Sequence, residues 1–317
     1  MVTRWLDTKT KSIDDAIEKI LNSGILENNS SNKITYANLE ANKILENNQT
    51  LRANQKEITF NVINYAYNQI SSETEGNIQP IEDRTTQKSG FVIVYSDQVR
   101  VQYIISRNSD AQHTLRFLLG YSGKREIERN QIDFKSDFFI WLITLIFEGN
   151  NELESENSDK VLSIDDLNGF KGLTEGPLNS VSADGDTVMN ILSTLSFLLE
   201  TQRMKQVKIS LKYGEHDKIE LVLGSNSIST IAKNYSGIFE DDQVVDGMLR
   251  TESEQLIQAK IYLLCYLEIL PRMIQTYQIS MDEGNWNKEH HEDFLKEIAG
   301  KLQEKINLKI DEIGKAN

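Results

Sequence analysis

The strongest constraint on this 317-residue chain is a strict alternation in "QVKISLKYGEHDKIELVLG". Val207, Ile209 and Leu211 repeat every second residue, as do Ile219, Leu221 and Leu223, with Gly214 to Asp217 between the two runs. A period of two puts successive side chains on opposite faces, so the segment is expected to form an antiparallel hairpin with one apolar face and one face in water. A second hairpin is expected where the apolar run of "GFVIVYSDQVRVQYIIS" meets a Ser96-Asp97-Gln98 turn and then alternates through Val99, Val101, Tyr103 and Ile105.

Elsewhere the pattern favours helices. "SIDDAIEKILNSG" offers Ser12 and Asp15 as a capping pair ahead of Ile13, Ala16, Ile17, Ile20 and Leu21. "YANLEANKILENN" reads as a second helix, and "QKEITFNVINYAYNQI" as a third, with Ile58, Val62, Ala66 and Ile70 at four-residue spacing. Ser136 is expected to cap the apolar helix that includes "FFIWLITLIF", and Asp186 or Thr187 to cap "VMNILSTLSFLLETQ". The turn-rich stretch before that cap, "IDDLNGFKGLTEGPLNSVSADGD", reads as irregular. A helical stretch from about Val244 to Ser280 should be kinked or interrupted at Pro271. A last helix carries Leu295, Ile298, Leu302, Ile306, Ile310 and Ile313 as one apolar stripe that needs a partner, either the preceding helix or another chain. The length exceeds the usual single core. The expected class is therefore α+β: a helical N-terminal unit over residues 1–86, central antiparallel hairpins packed with helices over 87–240, and a helical C-terminal pair over 241–317.

Charge is distributed unevenly. The formal net charge of −14 divides into −3 for residues 1–86, +2 for 87–140, −9 for 141–200, +2 for 201–240 and −6 for 241–317. Such a chain repels nucleic acid at long range, so a nucleic-acid partner is disfavoured unless a local basic face forms. The two longest apolar stretches are too short or too charged to span a bilayer, Lys260 and Glu268 falling inside the second. With no apolar leader near Met1, a cytoplasmic protein without membrane contact is expected. The single cysteine, Cys265, lies in "YLLCYLEIL" and reads as a small core hydrophobe.

Candidate chemistry is sparse. "GYSGKRE" places Gly120, Gly123 and Lys124 together, but Leu118 and Arg125 stand where a phosphate loop needs glycine and a hydroxyl. What remains there is a basic run, Arg116, Lys124, Arg125 and Arg129, which could hold an anion; the alternative is a solvated turn paired with Glu126 and Glu128. "QIDFKSD" gathers Asp133, Lys135 and Asp137, with Asp133 and Lys135 as the candidate carboxylate and lysine of a metal-dependent phosphodiesterase; the second carboxylate would come from elsewhere, such as Asp97 or Glu128, and nothing in the sequence selects one. Of the histidines, His290 and His291 are adjacent and point about 100° apart on a helix, so they do not chelate one ion; His113 and His216 have no ligand near in sequence. No metal or cofactor site is expected. The function expected on these grounds is a non-catalytic interaction or regulatory subunit of a bacterial multiprotein system, such as antiphage defence or stress response, docking through the C-terminal stripe. The alternatives are a nuclease or phosphodiesterase, and an acidic nucleic-acid mimic.

Overall fold

A computed structural model describes residues 1–23, 34–71, 80–123, 125–153, 160–174, 181–184, 199, 201–243 and 250–315. The protein is mixed α/β with two antiparallel sheets. In chain order the first elements are β1 (Thr3–Asp7), α1 (Ile13–Asn22), β2 (Ile34–Lys43), β3 (Gln49–Ala53), β4 (Lys56–Ser71), β5 (Thr85–Ser96), β6 (Val101–Ile105), α2 (Ala111–Leu118) and β7 (Ile127–Arg129). Then come α3 (Ser136–Glu148), β8 (Glu152–Leu153), β9 (Leu162–Thr174), β10 (Val181–Asp184), β11 (Thr201–Tyr213), β12 (His216–Gly224) and β13 (Ile228–Thr230). The chain continues through α4 (Arg250–Leu264), a π turn (Cys265–Ile269), α5 (Leu270–Asp282) and α6 (Lys288–Lys315). Two compact units result: residues 1–132 with 243–263, and residues 133–242 with 264–317.

The expected helical N-terminal unit is not what forms. After the short α1, capped by Ser12 Oγ accepting from the Asp15 N–H at 3.4 Å, the segments read as two further helices are strands β2 and β4. A four-residue repeat is also an even repeat, so Ile58, Val62, Ala66 and Ile70 fit a strand as well as a helix. The residues between them decide it. Phe60, Ile63, Tyr65 and Tyr67 are β-branched or aromatic, and they fill both faces of a strand rather than the polar side of a helix. In β4 the burial changes face midway: Ile58, Phe60 and Val62 are buried on one side, then Ile63, Tyr65 and Tyr67 on the other.

The first unit's sheet runs β2-β4-β5-β6-β1-β7, with β3 paired to β4. On one face Trp5, Ile63, Tyr65, Val92, Val94, Tyr103 and Ile105 pack with Ala16, Ile17 and Ile20 of α1 and Ala111, Leu115 and Leu118 of α2. On the other, Val62, Phe91 and Ile93 meet Gln255, Gln258 and Ala259 of α4, and the Phe91 and Tyr262 rings stack at 6.1 Å. The expected hairpin is β5 and β6, paired from Ser96 with Val101 to Val92 with Ile105. Val99, placed in its alternation, lies in the turn and is exposed.

The second unit's sheet runs β10-β9-β11-β12-β13, with β8 on β9. The central hairpin is β11 and β12, with Ile209 opposite Leu221 and Leu211 opposite Ile219. Its second face is drier than expected. Ser210 and Glu220 stand opposite each other there and both are buried; Asn168 Nδ2 donates to Ser210 Oγ at 3.0 Å and Asn234 Nδ2 to Glu220 Oε1 at 3.0 Å. The stretch read as irregular supplies β9, paired along much of β11 through several bulges, and β10. Turn-forming Asp165, Asp166, Asn168 and Gly169 are accommodated because bulges relax the two-residue period. The helix expected over residues 188–202 lies mostly outside the described residues, and its last two, Thr201 and Gln202, begin β11 instead. Helix α3 packs on β9 and β11, and Lys135, not Ser136, occupies its N-cap; Ser136 Oγ instead accepts from the Met204 N–H at 2.7 Å.

Pro271 does not break the helical path, which runs without a gap from α4 through the π turn into α5. It has no N–H to offer the carbonyl of Leu267 and its ring crowds that oxygen, and the turn immediately before it widens to π, the Leu270 N–H closing on Cys265 O. Cys265 is fully buried in that turn, and burial pushes its thiol far above the usual range, which suits the core role read from its neighbours.

Candidate interaction surface

The basic run is spread over separate elements. Arg116, in the last turn of α2, donates from Nη2 to the Ser122 carbonyl at 3.1 Å. Arg125 is exposed, and its carbonyl accepts from Thr8 Oγ1 at 2.9 Å. Arg129, at the end of β7, is exposed and donates from Nε to Gln131 Oε1 at 2.9 Å. Lys124 lies outside the described residues. Glu126 turns its Oε1 to the Gly123 N–H at 2.8 Å and so closes the loop on itself.

Asp133 and Lys135 are both exposed because the residue between them points inward: Phe134 is 7% exposed and its N–H donates to the Ser225 carbonyl at 2.8 Å. They belong to the second unit, whereas Arg116, Arg125 and Arg129 belong to the first. Among the described residues no group of three or more His, Cys, Asp or Glu is placed to hold a metal ion. No helix among them is long and apolar enough to cross a membrane.

Two carboxylates organise polar networks: Asp7, which the sequence did not single out, and Asp137, which it named only beside Asp133 and Lys135 as a nuclease-like group. Asp7, at the end of β1, accepts the Lys9 and Thr10 N–H groups on Oδ1, both at 2.8 Å, and the Tyr103 and Tyr121 hydroxyls on Oδ2, at 2.6 and 2.9 Å. Thr10 Oγ1 lies 2.6 Å from the Tyr121 oxygen and accepts from Lys19 Nζ at 2.6 Å. Burial, reinforced by Asp7, raises both phenols well above their usual value, so they remain protonated donors. In the second unit Asp137, in the first turn of α3, accepts the Tyr277 hydroxyl at 2.6 Å and the Trp286 indole N–H at 2.8 Å on one oxygen. The Tyr277 phenol is likewise raised, by burial first and Asp137 second. The sequence signal for Asp7 was the "DTKT" turn, in which a carboxylate accepts N–H groups two and three residues on. Nothing local marks Asp137, whose donors lie 140 and 149 residues away.

His216 is held the same way, its Nδ1 2.6 Å from the Tyr235 hydroxyl, which accepts the Phe239 N–H at 3.1 Å. Burial, with Lys160 nearby, pushes the imidazole down to about 4. It is neutral near pH 7. In the π turn Glu268 Oε2 accepts from Lys160 Nζ at 2.8 Å and Tyr213 hydroxyl at 2.7 Å, while the Arg272 guanidinium donates to the Leu153 and Lys160 carbonyls.

Helix α6 differs. Asn287 Oδ1 caps its start by accepting the His290 N–H at 3.0 Å, and Trp286, Phe294 and Ile298 are buried. Phe294 meets Phe147 of α3 edge-on at 5.4 Å, and Lys301 Nζ sits 3.7 Å from the centre of that same ring. Past this point the helix leaves its support. Ile306, Leu308, Ile310 and Ile313 are 44, 64, 60 and 58% exposed, the densest cluster of exposed large aliphatic residues among those described. The stripe read as one face is thus divided: Ile298 packs inside its own unit, Leu295 and Leu302 are half-buried, and Ile306, Ile310 and Ile313 are bare.

No family model matches this chain, and no curated protein matches it.

Proposed function

We propose that this chain is a non-catalytic interaction subunit of a bacterial multiprotein assembly and that the outer half of α6 is its contact surface. The observation that carries the reading is the bare Ile306, Ile310 and Ile313 face on a helix anchored at its other end by Phe294 and Ile298. Exposed aliphatic residues grouped on one side of a regular element mark contact sites, since covering each one contributes on the order of 1–2 kcal/mol. A firm base with a bare outer stripe presents that surface without refolding. The Asp7, Asp137 and His216 networks support the reading, because their donors and acceptors are turned on one another and position secondary structure.

The test is affinity capture from the native host with the wild-type chain and with Ile306→Asp/Ile310→Asp. Proteins that co-purify with the wild type and are lost from the variant support the reading. An identical set recovered by both removes it.

A further inference from the structure

We infer that the first unit binds a compact oligophosphate group on a basic lip formed by Lys9, Lys11, Lys19, Arg116 and Arg125. All five belong to that unit, and the inference does not depend on the reading of α6. Two loops distant in sequence build the lip. Thr8 donates from its N–H to the Glu126 carbonyl and from Oγ1 to the Arg125 carbonyl, both at 2.9 Å, which lays the segment carrying Lys9 and Lys11 beside Arg125, 117 residues on from Thr8. Asp7 fixes the same junction by accepting the Lys9 and Thr10 N–H groups and the Tyr121 hydroxyl. Lys19 Nζ reaches from α1 to Thr10 Oγ1 at 2.6 Å, and the Tyr121 N–H donates to the Arg116 carbonyl at 2.8 Å, so the end of α2 joins the lip.

The charges gathered there are left over. Elsewhere lysines pair with acids, as Lys56 does with Asp97 at 3.8 Å, Lys212 with Asp165 at 3.3 Å and Lys296 with Asp293 at 2.6 Å. None of the five cations of the lip forms such a pair among the described residues, although the chain holds 48 acids against 34 lysines and arginines. Nearby acids are engaged otherwise. Asp7 is buried and saturated, Glu126 turns Oε1 to the Gly123 N–H, and Asp14 accepts from Asn48 Nδ2 at 2.8 Å. Lys19 reaches Thr10 rather than Asp15, one helical turn before it. Arg116 gives Nη2 to the Ser122 carbonyl, and its Nε–H is enclosed with no acceptor. Like charges gathered without counter-ions repel, and a phosphate relieves that repulsion while its oxygens accept from several ammonium and guanidinium donors at once. The net charge of −14 limits the ligand's size. A long polyanion would extend beyond the lip over a chain that repels it, whereas a compact oligophosphate keeps its charge inside.

Isothermal titration of the purified chain with inorganic triphosphate in about 20 mM salt tests the site. The expected result is saturable binding with a dissociation constant below about 1 mM, weakening roughly tenfold or more by about 200 mM salt. Lys9→Glu/Arg125→Glu should weaken binding at least tenfold. Lys288→Glu/Lys296→Glu makes the same change in net charge on α6 of the second unit, and its affinity should stay within about threefold of the wild type. Lys9→Gln/Arg125→Gln removes the two charges without reversing them and is also expected to weaken binding, which keeps the test open if the reversal disturbs the loops. Equal affinity for ATP and triphosphate means that the lip reads the oligophosphate alone, and tighter ATP adds the nucleoside to the same site. Absence of saturable binding, equal loss in the two charge-reversed variants, or tighter binding of a short single-stranded oligonucleotide than of triphosphate overturns the inference.

Discussion

The first unit carries 18 lysines and arginines against 19 acids and the second 16 against 29, yet each places a carboxylate at the centre of a polar network. Asp7 in the first is 4% exposed, sits at a strand end, and takes two backbone N–H groups and two phenols. Asp137 in the second is half-buried, sits in the first turn of α3, and takes only two ring donors. The difference follows from position. A helix N-terminus already presents unpaired N–H groups and a favourable dipole to an acid, whereas a strand end supplies neither. The number of donors a buried acid collects is governed by its local backbone rather than by the overall charge of its unit.

The largest effect is expected for Asp7→Ala, which leaves the buried Tyr103 hydroxyl and two turn N–H groups without acceptors and should destabilise the first unit by about 4 kcal/mol in urea denaturation. Asp137→Ala should cost the second unit about 2 kcal/mol, read through the fluorescence of Trp286. Equal costs would break the comparison, because two ring donors would then matter as much at Asp137 as four donors do at Asp7. A third effect depends on pH. His216 is lowered from 6.5 to about 4, so the unfolded chain binds a proton that the folded chain refuses between those values. Its contribution is complete above pH 6.5 and is lost as pH falls toward 4; His216→Gln should flatten the stability profile of the second unit in that window. The smallest effect is that of Ile306→Asp, expected to stay within about 0.5 kcal/mol because the side chain is exposed. A larger loss at concentrations where the chain is monomeric would show that the stripe is covered within its own unit.

Legibility in the sequence tracked how local each cause was. Both hairpins could be read because alternation and turn residues lie within about twenty positions, as in β11 and β12. The Ser12 cap and the irregularity before Pro271, a π turn rather than a break, were equally local. Strand β4 was misread because a four-residue apolar repeat satisfies both periods, and partners that resolve it, such as Ser96 opposite Thr59, are distant. Strand β9 was missed because its turn-forming residues are tolerated only through bulges against β11. The basic run was visible as composition, but the sequence could not show that Arg116, Arg125 and Arg129 stand on separate elements.

What the sequence determined by itself is therefore periodic or local: the two hairpins, the Ser12 cap, the buried thiol of Cys265, the uneven charge, and the apolar stripe on α6. Tertiary structure decided that residues 34–71 are sheet, that Asp7 and Asp137 collect their donors, and that Ile298 is covered while Ile306, Ile310 and Ile313 are not. The physical reason is range. A helix or strand period constrains neighbours a few residues apart, whereas burial is set by whatever the rest of the chain brings against that face, as Phe147 does for Phe294 across 147 positions.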